Sequence, residues 1–257
     1  MNRIEAATFN VRLDAPTDGP NAWPHRRKHA EKLLSYYSWD LIGLQEPFAH
    51  QLEALAGVPG YTSEGIGREG GTAGEFSAIL YKTERFERLD GGTFWLSETP
   101  DRPSLGWGAD YLRICTWLKL RDRLSGQPLL AMNTHLDHMS EEARLRGAEL
   151  ILSRIEEYSE GAPVILTGDF NASASDPCCL VLGGRLANAR LEAGERHYGP
   201  VGTFSNFDST LPWDQLEPID HIFVSRDIRV VKTRTVTDTV DGACPSDHYP
   251  FTASLEL

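Results

Sequence analysis

Cysteine is scarce in these 257 residues, and the four present, Cys115, Cys178, Cys179 and Cys244, form no CxxC pair. Their arrangement excludes a disulfide scaffold as the main source of stability. Free buried thiols in a reducing compartment are expected, with disulfides the alternative. No apolar run approaches the roughly 18 residues of a membrane span, and no leader-like charged and apolar pair of segments follows Met1, so a cytoplasmic protein is expected. No linker rich in proline, glycine or serine, no low-complexity tract and no repeat divides the chain. Residues 1–257 are therefore expected to form one domain with a core large enough to need no metal or disulfide staple.

Positive charge is also in short supply, with 25 Lys and Arg against 37 Asp and Glu and a net charge of -12. Such a balance disfavours indiscriminate nucleic-acid binding, which draws its affinity from cations on phosphates, although bound metal would neutralise part of the acid. Nothing implies a protein partner. The one basic run, His25-Arg26-Arg27-Lys28-His29, reads as the solvated start of a helix or as a phosphate patch.

What is present is a set of short apolar strands that stop on polar residues. Val164-Ile165-Leu166-Thr167 runs into Gly168-Asp169-Phe170-Asn171, delivering a carboxylate and a carboxamide at a strand end. At spacing two both can reach one small volume, or both can serve an Asx-turn. Residues 4–11 form a strand ending on Asn10; a loop, a helix over residues 25–37 and a strand over 40–46 ending on Glu46 follow. A right-handed crossover of this kind brings Asn10 and Glu46 to the same sheet edge. Residues 48–56 suggest a short helix, 65–74 a glycine-rich loop, and 76–82 a strand with Glu75 at its entrance. A hairpin is expected near Asp90-Gly91-Gly92. Strands over 112–120, with Arg113, and 129–134, ending on His135, precede a helix from Ser140 to 158. Residues 177–188 fit helix or coil, 190–212 a polar loop, and 218–224, 229–239 and 251–257 strands, with Asp220 near the start of the first and Ser246-Asp247-His248 before the last.

So many carboxylates at strand ends repel one another unless a cation intervenes. Oxygen ligands without cysteine suit Mg²⁺ or Mn²⁺, and a divalent cation with His and Arg is what phosphate ester hydrolysis demands. The ordered set Thr8-Phe9-Asn10-Val11, Leu44-Gln45-Glu46, Asn133-Thr134-His135-Leu136, Gly168-Asp169-Phe170-Asn171, Ile219-Asp220-His221 and Ser246-Asp247-His248 resembles the endonuclease/exonuclease/phosphatase superfamily over nearly the whole chain. The resemblance implies an α/β four-layer sandwich, two mainly antiparallel sheets face to face with helices outside, as in deoxyribonuclease I. It implies Mg²⁺ or Mn²⁺ held by Glu46, with Asn10 and Asp247 beside it. By the same resemblance Asp169 takes the proton of, or orients, the attacking water; Asn171 positions that water and a phosphate oxygen; and His248, held by Asp220, donates to the scissile phosphate. His135 would face the phosphate, Glu75 is similar to the carboxylate that pairs with it, and Arg113 resembles a basic residue near the scissile group.

One departure is Arg12, where abasic-site endonucleases carry an acid; it speaks against a second metal and against that branch. His221 should point away from the site, and Asp137 and His138 fit a cap on the next helix. Trp23, Trp107, Trp213 and Tyr111 lie in loops as packing anchors or cleft walls. The expected activity is metal-dependent hydrolysis of a small phosphate ester by in-line attack of water. The alternative is a nuclease or deadenylase-like enzyme on single-stranded nucleic acid. Substrate choice would rest on loops 14–24, 99–111 and 190–212.

Overall fold

The computed structural model describes residues 3–257. In chain order it runs β1 (Arg3–Asn10), α1 (Trp23–Tyr37), β2 (Leu41–Gln45), α2 (Ala49–Ala56), β3 (Tyr61–Glu64), β4 (Ser77–Lys82), β5 (Phe86–Trp95), β6 (Ile114–Asp122) and β7 (Pro128–His135). There follow α3 (Glu141–Ser159), β8 (Val164–Asp169), α4 (Pro177–Gly183), β9 (Ala187–Asn188), α5 (Ala189–Ala193), β10 (His197–Tyr198), β11 (Asp220–Val224), β12 (Arg229–Thr235) and β13 (Phe251–Glu256). A seven-stranded sheet, ordered β10-β12-β13-β1-β2-β4-β3, faces a six-stranded one, ordered β5-β6-β7-β8-β11-β9.

Three apolar layers follow from period-two side chains. The outward faces of β1, β2 and β4 (Ala7, Phe9, Ile42, Leu44, Leu80) pack under α1 and α2 through Leu33, Leu34, Leu52 and Leu55. Leu130, Met132, Leu166 and Phe223 of the other sheet pack under α3 and α4 through Ile151, Ile155 and Leu182. Between the sheets lie Ile4, Ala6, Leu41, Leu129, Ala131, Ile165 and Ile222. The expected four-layer sandwich is thus present. Most strand pairs are antiparallel, but β1 with β2, β7 with β8 and the short β10 with β12 are parallel, and the first two of these carry the polar strand ends.

Along the inward faces the chemistry changes with distance from the apolar end. On β1 it goes Ile4, Ala6, Thr8, Asn10; on β7, Leu129, Ala131, Asn133, His135; on β8, Ile165, Thr167, Asp169. The neutral polar tier is a buried lock between sheets: Gln45 Nε2 donates to Thr8 Oγ1 (3.0 Å) and Asn133 Oδ1 (2.6 Å), and Asn133 Nδ2 donates to the Leu44 and Ala78 carbonyls (both 2.8 Å). Gly43 sits under this lock because a Cβ there would lie 2.1 Å from Thr167 Oγ1 and 2.4 Å from Asn133 Oδ1. Gly43→Ala should therefore force the sheets apart and cost about 3 kcal/mol. For a chain of this size that is a fall in Tm of roughly 6–12 °C. A thermal melt within 2 °C of the parent, a margin set at roughly the shift expected per kcal/mol, would contradict this.

Four sequence expectations change. No hairpin forms at 90–92: β5 runs through it with a bulge between Arg88 and Asp90, and Gly91 is needed for close approach, since a Cβ would lie 2.5 Å from Leu118 Cδ2. The strand expected over 229–239 stops at Thr235, whose partner is Phe251, the first residue of β13. Residues 61–64 form an unforeseen edge strand on β4, and residues 190–212 include most of α5 and the short β10. In the basic run His25, Arg27 and Lys28 are exposed, but Arg26 is buried. The four cysteines are free and buried. No helix among the described residues is long and apolar enough to cross a membrane.

Candidate active site

Because β1 and β2, and β7 and β8, run parallel, their C-terminal ends share one edge. Antiparallel β11 brings Asp220 level with Asp169, and antiparallel β13 brings residues 246–250 to the end of β1. Here Asn10, Glu46, His135, Asp169, Asn171, Asp220, Asp247 and His248 gather; all but Asn10 and Asp220 line a cleft of about 680 Å³. Arg12, Glu46 and Asn171 turn off their strands with φ of 57°, 69° and 47°. Left-handed backbone at non-glycine residues is strained, and its clustering at one edge marks a functional site. A roomier groove between α1 and α2, about 890 Å³, is lined by Arg27, Lys28, Glu31, Lys32 and Glu53 on solvated helix faces. It has no convergent set of this kind.

Asp169 lies at the centre. Its Oδ2 accepts from Asn10 Nδ2 and its Oδ1 from the Asn171 backbone N–H, both at 2.9 Å. His135 Nε2 and His248 Nε2 approach Oδ2 at 3.5 and 3.7 Å. Burial, and then the charge of Asp220, push the Asp169 carboxyl up to about 7. His248 is oriented from behind, its Nδ1 2.8 Å from Asp220 Oδ2, which also accepts from Thr203 Oγ1 at 2.6 Å. Burial works to lower the His248 pKa, but Asp220, Asp169 and Asp247 outweigh it, and the ring is held well above its ordinary value as an imidazolium. Asp220 Oδ1 is buried without a hydrogen-bond partner among the described residues, so the imidazolium is the main compensation for that carboxylate.

His135 behaves oppositely. Burial and then Arg113 hold it well below its ordinary pKa, and its Nε2 accepts from Asn171 Nδ2 at 3.0 Å as a neutral ring. The pairing expected between His135 and Glu75 is not formed. Glu75 Oε1 lies 2.9 Å from Arg68 Nη2, a stronger and permanent cation. Burial and then Glu46 push the Glu75 carboxyl up to about 7. Arg113 reaches Asp137 Oδ2 (3.5 Å) and donates to His138 Nδ1 (3.1 Å), while Asp137 Oδ1 accepts from the Met139 and Ser140 N–H groups just ahead of α3, whose cap is Ser140 and not Asp137 or His138.

Glu46 Oε1 accepts from Asn10 Nδ2 (2.9 Å) and Oε2 from the Leu13 N–H (3.1 Å). Asn10 therefore bridges two carboxylates with its amide nitrogen, and its own oxygen is taken by the Arg12 N–H at 2.9 Å. Asn10 thus holds Glu46 and Asp169 in fixed relation, beside the place where the resemblance puts the cation, directly or through water. Arg12 is paired with Asp18 (3.0 Å) and lies 4.0 Å from Glu46 and 3.8 Å from Asp247.

The cleft lining has six carboxylates, Asp18, Glu46, Glu75, Asp169, Glu217 and Asp247, against three guanidiniums, Arg12, Arg68 and Arg113. Burial and then Glu46 act to raise the Asp247 carboxyl and outweigh His248 and Arg12, which lower it. A hard divalent cation fits this donor set, with Glu46 and Asp247 as the carboxylates to hold it. A second group, Asp169, Asp220 and His248, has potential ligand atoms within 4.8 Å of one another. Its Asp220 and His248 atoms are already joined by a hydrogen bond.

Arg26 was missed by the sequence reading. It donates to the carbonyls of Val11 (2.5 Å), Arg12 (2.9 Å), Asn21 (2.6 Å) and Pro245 (3.2 Å), pinning the loops on both sides of the site. Its signal was available: positions 26, 30, 33 and 34 lie on one apolar helix stripe, and an arginine there needs buried partners. His221 faces away as expected, donating to the Ala172 carbonyl at 2.9 Å. Of the four aromatics expected in loops, Trp23 instead opens α1 and is buried, and Tyr111 lines the cleft, joined by Phe204 and Phe207.

Residues 7–248 match the model of the endonuclease/exonuclease/phosphatase family. A solved endonuclease/exonuclease/phosphatase from Bacteroides vulgatus is 36% identical, with a TM-score of 0.95 and 100% of both chains covered. A mannosyl-6-phosphatase from Bacteroides thetaiotaomicron is 35% identical, with a TM-score of 0.90, covering 99% of this chain and 100% of that one. The human Nocturnin catalytic domain shares the fold at 18% identity and a TM-score of 0.77, covering 99% of this chain and 93% of that one. A curated relative, an uncharacterised protein of Acanthamoeba polyphaga mimivirus, is 26% identical over 165 residues, 58% of this chain and 59% of the relative's length. A family match across both sheets, joined to a centre of Asp169, Asn171, His248, Asp220 and Glu46, establishes that the chain belongs to the endonuclease/exonuclease/phosphatase family, whose members are hydrolases of phosphate esters.

Proposed function

We propose that the protein is a divalent-cation-dependent phosphatase of small phosphorylated molecules, Mg²⁺ or Mn²⁺ being the resident ion. The observation that carries the proposal is geometric: Asp169 Oδ2, fixed by Asn10, lies 3.7 Å from Nε2 of His248, whose Nδ1 is held 2.8 Å from Asp220. A carboxylate beside a carboxylate-backed imidazole supplies a proton acceptor and a hydrogen-bond donor at one phosphate. Asp169, fixed by Asn10 and the Asn171 N–H, takes a proton from water as its oxygen attacks phosphorus. His248, held by Asp220, donates a hydrogen bond to a phosphate oxygen on which charge builds. The P–O bond to the alcohol breaks, the leaving oxygen takes a proton from solvent, Asp169 returns the water's proton to solvent, and inorganic phosphate is released. Asn171 fixes Asp169 through its backbone N–H and, through its side-chain amide, the neutral His135 that lines the cleft beside it. A divalent cation on Glu46 and Asp247 supplies the remaining positive charge and offsets the acidic lining.

A small substrate suits the cleft volume and the net charge of -12, which repels long polyanions. The similar mannosyl-6-phosphatase supports a sugar phosphate as the first class to try. The competing reading, cleavage of single-stranded nucleic acid, draws on Tyr111, Phe204 and Phe207 as stacking surfaces. Free thiols fit a reducing compartment such as the cytoplasm.

The test is a panel of sugar phosphates, diesters and oligonucleotides with Mg²⁺ or Mn²⁺ and then with chelator. Turnover of monoesters that stops on chelation is expected; turnover indifferent to chelator overturns the proposal. Glu46→Gln should raise the Mg²⁺ concentration for half-maximal rate by about 10- to 100-fold with little change in Tm. An unchanged cation requirement would remove Glu46 from the metal site.

A further inference from the structure

Beyond His135 the cleft is lined by Arg68, Tyr111, Arg113 and His138. The Tyr111 ring is their common platform. The Arg68 and Arg113 guanidinium carbons lie 5.2 and 5.8 Å from its centroid, and His138 stacks on it at 5.4 Å. Arg68 is held by Glu75 at 2.9 Å and Arg113 by Asp137 at 3.5 Å. The hairpin bearing Arg68 is braced by backbone bonds from Arg68 N to the Glu75 carbonyl (2.9 Å) and by Trp95 Nε1 to the Arg68 carbonyl (2.6 Å). Arg68, Glu75, Arg113 and His135 enclose a gap of only about 10 Å³, so the two cations are packed and not free arms. Even so, the Arg68 Nε and Nη1 and the Arg113 Nη1 have no hydrogen-bond partner among the described residues.

We infer that Arg68, with Arg113, is the determinant that reads a phosphate as a terminal monoester. The inference rests on the phosphatase reading above and deepens it. A monoester dianion has three terminal oxygens, whereas a diester has two and carries an organic group in place of the third. His248, and a cation that Glu46 and Asp247 would hold, serve part of the phosphate. The guanidinium N–H groups past His135 are left for the oxygen that only a monoester has. An ester substituent in that place would bury those donors unpaired, and sites built to hydrogen-bond a group reject analogues lacking it far more strongly than apolar pockets reject size. Tyr111 and Glu75 are positioning residues, since they set the Arg68 fork without facing the phosphate themselves. Capture of Glu75 by Arg68 is what separates this arrangement from one in which the carboxylate serves His135.

The experiment compares kcat/KM for p-nitrophenyl phosphate and bis(p-nitrophenyl) phosphate, which share a leaving group, in the parent and in Arg68→Met, with Mg²⁺ or Mn²⁺. The monoester-to-diester ratio should fall on the order of 100-fold in Arg68→Met. Arg68→Lys, which keeps the charge toward Glu75 but loses the planar fork, should recover little of it. Tyr111→Leu should move the ratio the same way by a smaller factor. A ratio within threefold of the parent in both Arg68 variants, with parental melting curves, overturns the inference; threefold is roughly 0.6 kcal/mol. If the parent with metal turns over neither ester, the phosphatase reading fails, and calorimetry with inorganic phosphate against dimethyl phosphate still decides the role of Arg68. Loss of the parent's preference for inorganic phosphate in Arg68→Met supports the role, and equal binding in parent and variant refutes it.

Discussion

Asp169→Asn should lose activity on the order of 10⁴-fold in kcat, about 5 kcal/mol of transition-state stabilisation, while remaining folded. The amide cannot take the proton of water, yet its oxygen can still accept from the Asn171 N–H, so the geometry of the strand end survives. The stability side of this prediction has a definite sign. The folded carboxyl is raised from 3.8 to about 7, chiefly by burial. A carboxyl whose folded value lies above its unfolded one costs stability as the pH rises from about 4 to about 7, because the unfolded chain gives up its proton first. At pH 8 in the absence of metal the variant should therefore melt at or above the parent temperature. A group that lowers stability where it is functionally needed is the expected signature of an active-site base. Parental kcat in Asp169→Asn would remove it from the chemistry. A lower Tm together with lost activity would instead point to a structural role.

Asp220→Asn should lower kcat by about 10²- to 10⁴-fold and also move the pH profile. His248 is kept charged by Asp220 first among the carboxylates that face it. An imidazolium with a raised pKa is active below that pKa and loses its proton above it, so the parent rate falls on the alkaline side. Removing the Asp220 charge lowers the His248 pKa, and the alkaline fall should begin at lower pH in the variant. A rate reduced at every pH with the alkaline limb unmoved would mean that Asp220 only orients the ring. Thr203, which donates to the same oxygen at 2.6 Å, offers a milder comparison: Thr203→Val should slow the enzyme by about tenfold or less.

Much of this site was legible because strand periodicity is a local property. Asn10, Glu46, His135 and Asp169 each end or closely follow an apolar run; alternation at spacing two put Asn10, His135 and Asp169 on the inward face, whereas Glu46 has the parity of outward Ile42 and Leu44 and reaches the site through its left-handed turn. The crossover through α1 then brought the first two to one edge, as the parallel register of Ala6 with Leu41 confirms. The helix after Ser140 was equally plain, since its cap and its first-turn acids lie within a few residues of one another. Expectations failed where the deciding contact comes from elsewhere in the chain. Gly91 looked like a turn until Leu118 and Trp117 lay against it. Glu75 was assigned to His135, but the Gly-rich loop that carries Arg68 has no periodicity from which to place that guanidinium.

The order of acids, amides and imidazoles along the chain therefore carried the membership of the site, because each is delivered by its own strand through short-range rules. Which atom meets which did not follow from that order. The buried lock beneath Gly43 sets how closely the two sheets approach, the left-handed turns at Arg12, Glu46 and Asn171 aim the loops, and ion pairs form between residues whose distance in sequence is unrelated to their distance in space. Partner choice among charges is a competition settled by three-dimensional proximity and burial, and here that competition gave Glu75 to Arg68, left His135 neutral, and made His248 the charged imidazole of the pair.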